Sequence, residues 1–144
     1  MGDMEYFLGI DPGISGGLAI VNSLGELSDA VGFKNLTETD INDWMLAYPY
    51  SLALLEKVHS MPKQGVKSTF TFGQSYGLLR GVLVANNLKR EFVPPQVWQK
   101  ALGCMTKGDK NVTKAKAQEL FPNRKITHAI ADACLIAEYA RRLK

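Results

Sequence analysis

Read from its start, the chain sets short apolar runs between polar turns before it settles into helical spacing. Tyr6 to Ile10 is an apolar run that stops at Asp11-Pro12-Gly13, and Gly17 to Val21 is a second run after a glycine-rich turn, which predicts a hairpin. Glu26 to Phe33, behind Leu24-Gly25, reads as a third strand. Ile41, Trp44 and Met45 then recur at helical spacing within Thr39 to Ala47, after an Asp- and Thr-rich start. Ser51 to Leu55 is apolar without alternation, as in a strand covered on both faces of a mixed or parallel sheet, and it ends at Glu56.

The second half changes period. Met61 to Ser68 has the Pro, Gly, Lys and Ser content of a loop, and the spacing predicts a helix from about Thr69 to Leu88 with Gly73, Gly77 and Gly81 on one face. Each glycine costs a helix roughly 1 kcal/mol relative to alanine, so three at a spacing of four predict a face that another backbone approaches closely. A sheet and a second subunit are the two candidates. Glu91 to Val93 reads as a short strand, Pro95 opens a helix through Leu102, and Thr113 to Phe121 is a further short helix. The last helix spans about Thr127 to Leu143. Strands first, then strands separated by helices, predict one α/β domain over residues 1–144, without repeats or a long linker.

Composition agrees: 144 residues with 46% apolar and 22% charged suit one globular domain. No run approaches the length of a membrane span, and MGDMEYF lacks the basic start and small-residue cleavage site of a secretory signal, so the expected setting is cytoplasmic, with no membrane partner. Cys104 and Cys134 are isolated, which favours buried free thiols over a disulfide. Charge alters the picture more. Residues 1–56 hold one basic and nine acidic residues, a net of −8, whereas residues 57–144 hold sixteen basic and five acidic, a net of +11. The basic half calls for an anionic partner; nucleic acid fits, although solubility alone also skews surfaces.

Asp11 and Glu56 are each the first carboxylate after an apolar strand, at the strand edge where α/β sheets place their sites. A third, Asp132, sits in a helix that is apolar nearly all round (Ala129 to Ile136). Singly, each is explained by a basic neighbour or a turn. Together, three carboxylates cluster most economically around hard divalent cations, which remove their mutual repulsion. Two such ions about 4 Å apart would activate a water and stabilise the leaving oxygen of a phosphodiester.

His128 precedes Asp132 by one helical turn and shares its face, near a helix N-terminus that keeps imidazole neutral; it reads as a metal ligand or proton-transfer group, and otherwise as structural. His59, three residues past Glu56, is structural or a substrate contact. The turn Asp11 to Gly17 also resembles the phosphate-binding turns of sugar kinases, but those enzymes need two domains. Lys107, Lys110, Lys114 and Lys116 form a basic loop leading into a helix, and Lys63 and Lys67 precede Phe70 and Phe72. These read as phosphate contacts with aromatics to stack on bases, or alternatively as a solvated face with core aromatics; Trp98 and Tyr76 read as core.

Over nearly the whole chain, GIDPG (Gly9 to Gly13), LLEKV (Leu54 to Val58), FGQSYG (Phe72 to Gly77), PPQVWQKALG (Pro94 to Gly103), KGDKNVTKAKAQELFP (Lys107 to Pro122) and HAIADACLIAEYARR (His128 to Arg142) resemble, in order and spacing, the RuvC Holliday junction resolvases, particularly their short phage-type members. The resemblance implies a ribonuclease H-like α/β fold: a central mixed five-stranded sheet flanked by helices. It implies a homodimer in a bacterial or phage-infected cell that cuts four-way DNA junctions by paired nicking, with Mg²⁺ or Mn²⁺, two ions per site, leaving 5′-phosphate and 3′-hydroxyl ends. Catalytic carboxylates map onto Asp11, Glu56 and Asp132, and the glycine-faced helix maps at or near the dimer interface. One departure concerns the fourth ligand: the family usually places it three residues before the last aspartate, where this chain has Ala129, with His128 one position earlier. A looser branched-DNA nuclease acting on forks and flaps, and a catalytically silent DNA-binding protein of the same fold, are the alternatives.

Overall fold

In a computed structural model, the residues described are 3–58 and 65–144. β1 (Tyr6–Asp11) and β2 (Gly17–Asn22) form the expected hairpin, and β3 (Leu27–Gly32) adds antiparallel to β2. After α1 (Glu38–Met45) the chain returns as β4 (Tyr50–Glu56), parallel to β1; after α2 (Val66–Ala85) it returns as β5 (Arg90–Val93), parallel to β4. The five-stranded sheet therefore runs β3-β2-β1-β4-β5 and is mixed. α3 (Pro95–Ala101), α4 (Lys110–Leu120) and α5 (His128–Leu143) complete the chain.

Local chemistry sets these boundaries. Thr37 and Asp40 cap α1 reciprocally, each side chain bonding the other's backbone N–H. α4 begins one turn earlier than expected because the Asp109 carboxylate accepts the Asn111 N–H at 2.9 Å. That makes Lys110 helical rather than part of a loop. α2 likewise starts at Val66, so Lys67 and Ser68 lie in its first turn, and it stops at Asn86-Asn87, where Asn87 takes a left-handed φ of 48°.

Strand alternation divides the core into two layers. Phe7 of β1 and Leu52 and Leu54 of β4 pack with α3, α4 and α5; Leu8, Ile10, Ala53 and Leu55 pack with α1 and α2. By the same alternation Asp11 and Glu56 fall on the α5 side of the sheet.

α5 lies against that side through a seam of small residues. A Cβ on Gly9 would strike the backbone of Ala133 and Ala137, one on Gly17 would strike the carbonyls of Val31 and Ala129, and one on Gly32 would come 3.1 Å from the Ala129 methyl. Ala129, Ala133 and Ala137 recur every four residues, so one face of α5 follows the sheet glycines closely. The glycine face of α2 behaves differently. Among the described residues nothing lies within 4 Å of a Cβ built on Gly73, Gly77 or Gly81, so the sheet is not their neighbour; α2 covers the sheet through Leu79, Val82 and Leu83 instead. Cys104 and Cys134 are buried free thiols. Among the described residues no helix is long and apolar enough to cross a membrane.

Candidate active site

Asp11 is the last residue of β1, held by a turn in which Gly16 N–H bonds the Gly13 carbonyl at 2.8 Å and Gly13 N–H approaches Asp11 Oδ1 at 3.4 Å. A Cβ on Gly16 would collide with Asp11 itself, so glycine there is a condition for the tight turn. β1 and β4 are in register at Ile10 and Leu55, which sets Asp11 beside Glu56 at the ends of adjacent parallel strands. Asp132, in the second turn of α5, completes the group from the layer above.

The three carboxylates are half-buried and act on one another. Glu56 is pushed up to about 8, first by burial and then by the charge of Asp11, with Asp132 adding to it and the Trp98 hydrogen bond opposing it. Asp11 is raised to about 6 by burial and by Asp132, against the Gly13 N–H and Lys110. Asp132 is raised by burial, with Thr113, Lys110 and His128 drawing it back.

Glu138 shows what a structural carboxylate looks like in the same helix. It too is buried, which alone would raise it, yet it lies below its ordinary value because Arg141 and Arg142 bond it at 2.6 to 2.9 Å. Among the described residues no salt bridge reaches Asp11, Glu56 or Asp132. The explanation by a basic partner, adequate for Glu138, does not extend to them.

Each of the three has instead a neutral polar neighbour. Gly13 N–H serves Asp11, and Trp98, fully buried on α3, donates Nε1–H to Glu56 Oε2 at 2.8 Å. The buried Thr113 hydroxyl donates to the Lys110 carbonyl at 3.3 Å and, as a neighbour of Asp132, draws its carboxyl down. Tyr76 of α2 donates its hydroxyl to the Glu56 carbonyl at 3.3 Å. Sequence reasoning assigned Trp98 and Tyr76 to the core and passed over Thr113. A buried indole N–H must find an acceptor, and that was the available signal.

Three hard oxygen donors whose repulsion no salt bridge among the described residues relieves fit a divalent cation chemically. Among the described residues no three such side chains are drawn into a formed metal cage. One consequence is measurable without any substrate. The folded pKa values of Asp11 and Glu56 lie above their unfolded ones, so between about pH 4 and pH 8 the folded chain binds more protons and loses stability as pH rises. Glu138, shifted the other way, acts below that window. In a chelator, melting at pH 8.5 is expected to fall roughly 5 °C below that at pH 5, for a difference of about 2 kcal/mol after allowance for partial exposure. Mg²⁺ should restore more at pH 8.5 than at pH 5. Equal melting at both values in chelator would contradict the repulsion.

His128 is exposed at the start of α5, where its charge is felt by Asp132. It also lines a groove of about 890 Å³ between the Pro12 to Gly16 turn, Lys34 and the Thr71, Gln74 and Ser75 face of α2. The groove adjoins the carboxylates but none of the three lines it. Of the described lysines predicted to contact phosphate, Lys110 is the one brought to the site, its charge lowering both Asp11 and Asp132. Lys107 is exposed, Lys114 and Lys116 are half-buried on α4, and Lys116 pairs with Glu119 at 3.9 Å. Lys67 is exposed; Lys63 and His59 lie outside the described residues. The two aromatics divide: Phe70 is 66% exposed, whereas Phe72 is half-buried and stacks on Tyr76 with centroids 6.0 Å apart.

No family model and no curated protein matches the sequence. Solved structures do match. Thermus thermophilus RuvC in complex with Holliday junction substrate superposes with a TM-score of 0.68 at 16% identity, over 96% of each chain. The fold is that of RuvC. A second Thermus thermophilus RuvC structure gives 0.66 at 15% identity, over 95% of this chain and 96% of that one. The RuvC fold accounts for the mixed five-stranded sheet and the helices on both its faces, as the sequence motifs implied.

Proposed function

We propose that the chain is a divalent-metal-dependent, structure-specific DNA endonuclease that resolves four-way junctions by paired nicking, leaving 5′-phosphate and 3′-hydroxyl ends. The observation that carries this reading is the convergence of three carboxylates, none salt-bridged among the described residues, at one sheet edge, in the fold of a protein solved with a Holliday junction. Asp11, Glu56 and Asp132 would hold Mg²⁺ or Mn²⁺, with His128 as a fourth ligand or a proton carrier at the edge. The bound ions, two per site, would supply charge neutralisation and an activated water. The protein's own part is to keep the carboxylates oriented on rigid elements and to place the Lys110 charge beside them.

Phosphate contacts fall to Lys67, Lys107, Lys110, Lys114 and Lys116, with Lys63 in the segment before α2, and Phe70 is exposed enough to stack on an unpaired base. The whole chain, 1–144, would act as one domain and pair as a homodimer. The open glycine face of α2, bordered by Val66, Phe70 and Val84, which are 90%, 66% and 57% exposed, suits a close approach by a second copy. Two-fold symmetry would then present two sites to two strands of one junction.

The test is a panel of end-labelled four-way junction, fork, flap and linear duplex with Mg²⁺ and with Mn²⁺. Paired nicks in the four-way junction, in clear preference to the others, are expected. Equal cutting of forks and junctions would point to a general branched-DNA nuclease, and binding without cleavage under both ions would remove the enzyme from the proposal.

A further inference from the structure

We infer that Trp98 is a positioning residue for the metal site, its indole N–H fixing which oxygen of Glu56 is turned toward Asp11 and Asp132. This rests on the metal-nuclease reading above. The placement follows from the chain itself. Glu56 and Val93 are paired across β4 and β5, and Lys57 N–H bonds the Val93 carbonyl at 2.8 Å, so β5 ends level with the carboxylate. Pro94 and Pro95 then turn the backbone straight into α3, with Pro95 in the first turn. Trp98 comes one turn later, fully buried, and reaches back to Glu56 Oε2 at 2.8 Å.

The chemistry of the donor decides the argument. An indole donates one hydrogen bond, accepts none and carries no charge over the working pH range. A lysine or arginine in this place would also orient Glu56, but it would cancel the charge that attracts a cation, as Arg141 and Arg142 do for Glu138. Trp98 occupies one lone pair of Oε2 and leaves both lone pairs of Oε1 free of it. Tyr76 holds the Glu56 backbone from the opposite side of the sheet, so rotation of the side chain is the freedom left for Trp98 to remove.

Packing alone would explain why a tryptophan is buried here, so the test must separate the N–H from the ring. Incorporating 3-benzothienylalanine at position 98 keeps the bicyclic volume and replaces the N–H by sulfur. The positioning role predicts a melting temperature close to wild type, a roughly 10-fold weaker Mn²⁺ affinity by calorimetry and a matching rise in the metal concentration for half-maximal cleavage. Unchanged Mn²⁺ affinity in the folded variant would overturn the inference.

A second measurement needs no change at position 98. In a Trp44→Phe background Trp98 is the remaining tryptophan, and its emission should shift on Mg²⁺ addition and saturate together with the calorimetric binding. Emission that stays constant while Mg²⁺ binds would also overturn the inference. Glu56→Gln separates this inference from the reading beneath it. If Glu56→Gln cleaves junctions like wild type, the metal-nuclease reading is wrong; if it is inactive while the benzothienyl variant binds Mn²⁺ normally, only the role of Trp98 fails.

Discussion

Asp11→Asn is expected to cut a four-way junction on the order of 10³-fold more slowly than wild type while binding it at least as tightly. Asp11 carries this weight because of its place in the group. After burial, its charge is the next cause of the shift in Glu56, and after burial Asp132 in turn raises Asp11, so it is electrostatically coupled to both of the others. Asparagine has the same shape and keeps an oxygen for the Gly13 N–H, so the turn from Asp11 to Gly17 should persist. What it removes is one anionic ligand. Loss of a negative charge beside a phosphate-binding surface favours DNA slightly, hence unimpaired binding by gel shift alongside lost cleavage. The variant should also melt higher than wild type in chelator, because the repulsion it relieves is present only without metal. Cleavage at the wild-type rate would exclude Asp11 from the site.

The strands and their terminal carboxylates were legible because period and turn chemistry agree over short distances. Tyr6 to Ile10 and Ser51 to Leu55 were each extended by the single residue that matters, Asp11 and Glu56, which pair with Gly17 and Val93 and so belong to the sheet. Alternation already sets each carboxylate on the same face as Phe7 or as Leu52 and Leu54. The register between Ile10 and Leu55 and the layer that covers that face are long-range facts with no local signature.

Helix starts failed where lysines hid them. Lys110 reads as part of a basic loop until Asp109 is recognised as its cap, and only then does its charge arrive beside Asp11 and Asp132. Of the two neighbours that the glycine spacing on α2 predicts, the structure removes the sheet and leaves a second subunit. On α2 the face is open among the described residues, whereas the sheet meets α5, whose alanines at 129, 133 and 137 drew no attention because alanine is an ordinary helix residue.

That seam carries the prediction with the largest expected effect on stability, Gly9→Ala. A single methyl at Gly9 would point into the carbonyl of Ala133 and the amide and Cα of Ala137. All three are backbone atoms of a helix whose neighbouring residues Ala133 to Ala137 are fully buried, so no rotamer change can make room. Either α5 moves off β1 or the strand distorts, and both separate layers that share one core. A loss of about 3 kcal/mol is expected, at the upper end for overpacking, and for a chain of this length a melting temperature lower by roughly 10 °C. Because the obstruction is backbone, truncating the helix in Gly9→Ala/Ala133→Gly should give no recovery, which distinguishes this contact from ordinary side-chain crowding. The effect on chemistry should exceed the effect on folding. Asp132 belongs to the helix that must move and Asp11 to the strand it must leave, so even at a temperature where the variant is folded its Mn²⁺ affinity should fall. A Gly9→Ala protein with wild-type melting would mean that α5 and β1 do not approach this closely, and the meeting of Asp11 with Asp132 would lose its structural basis.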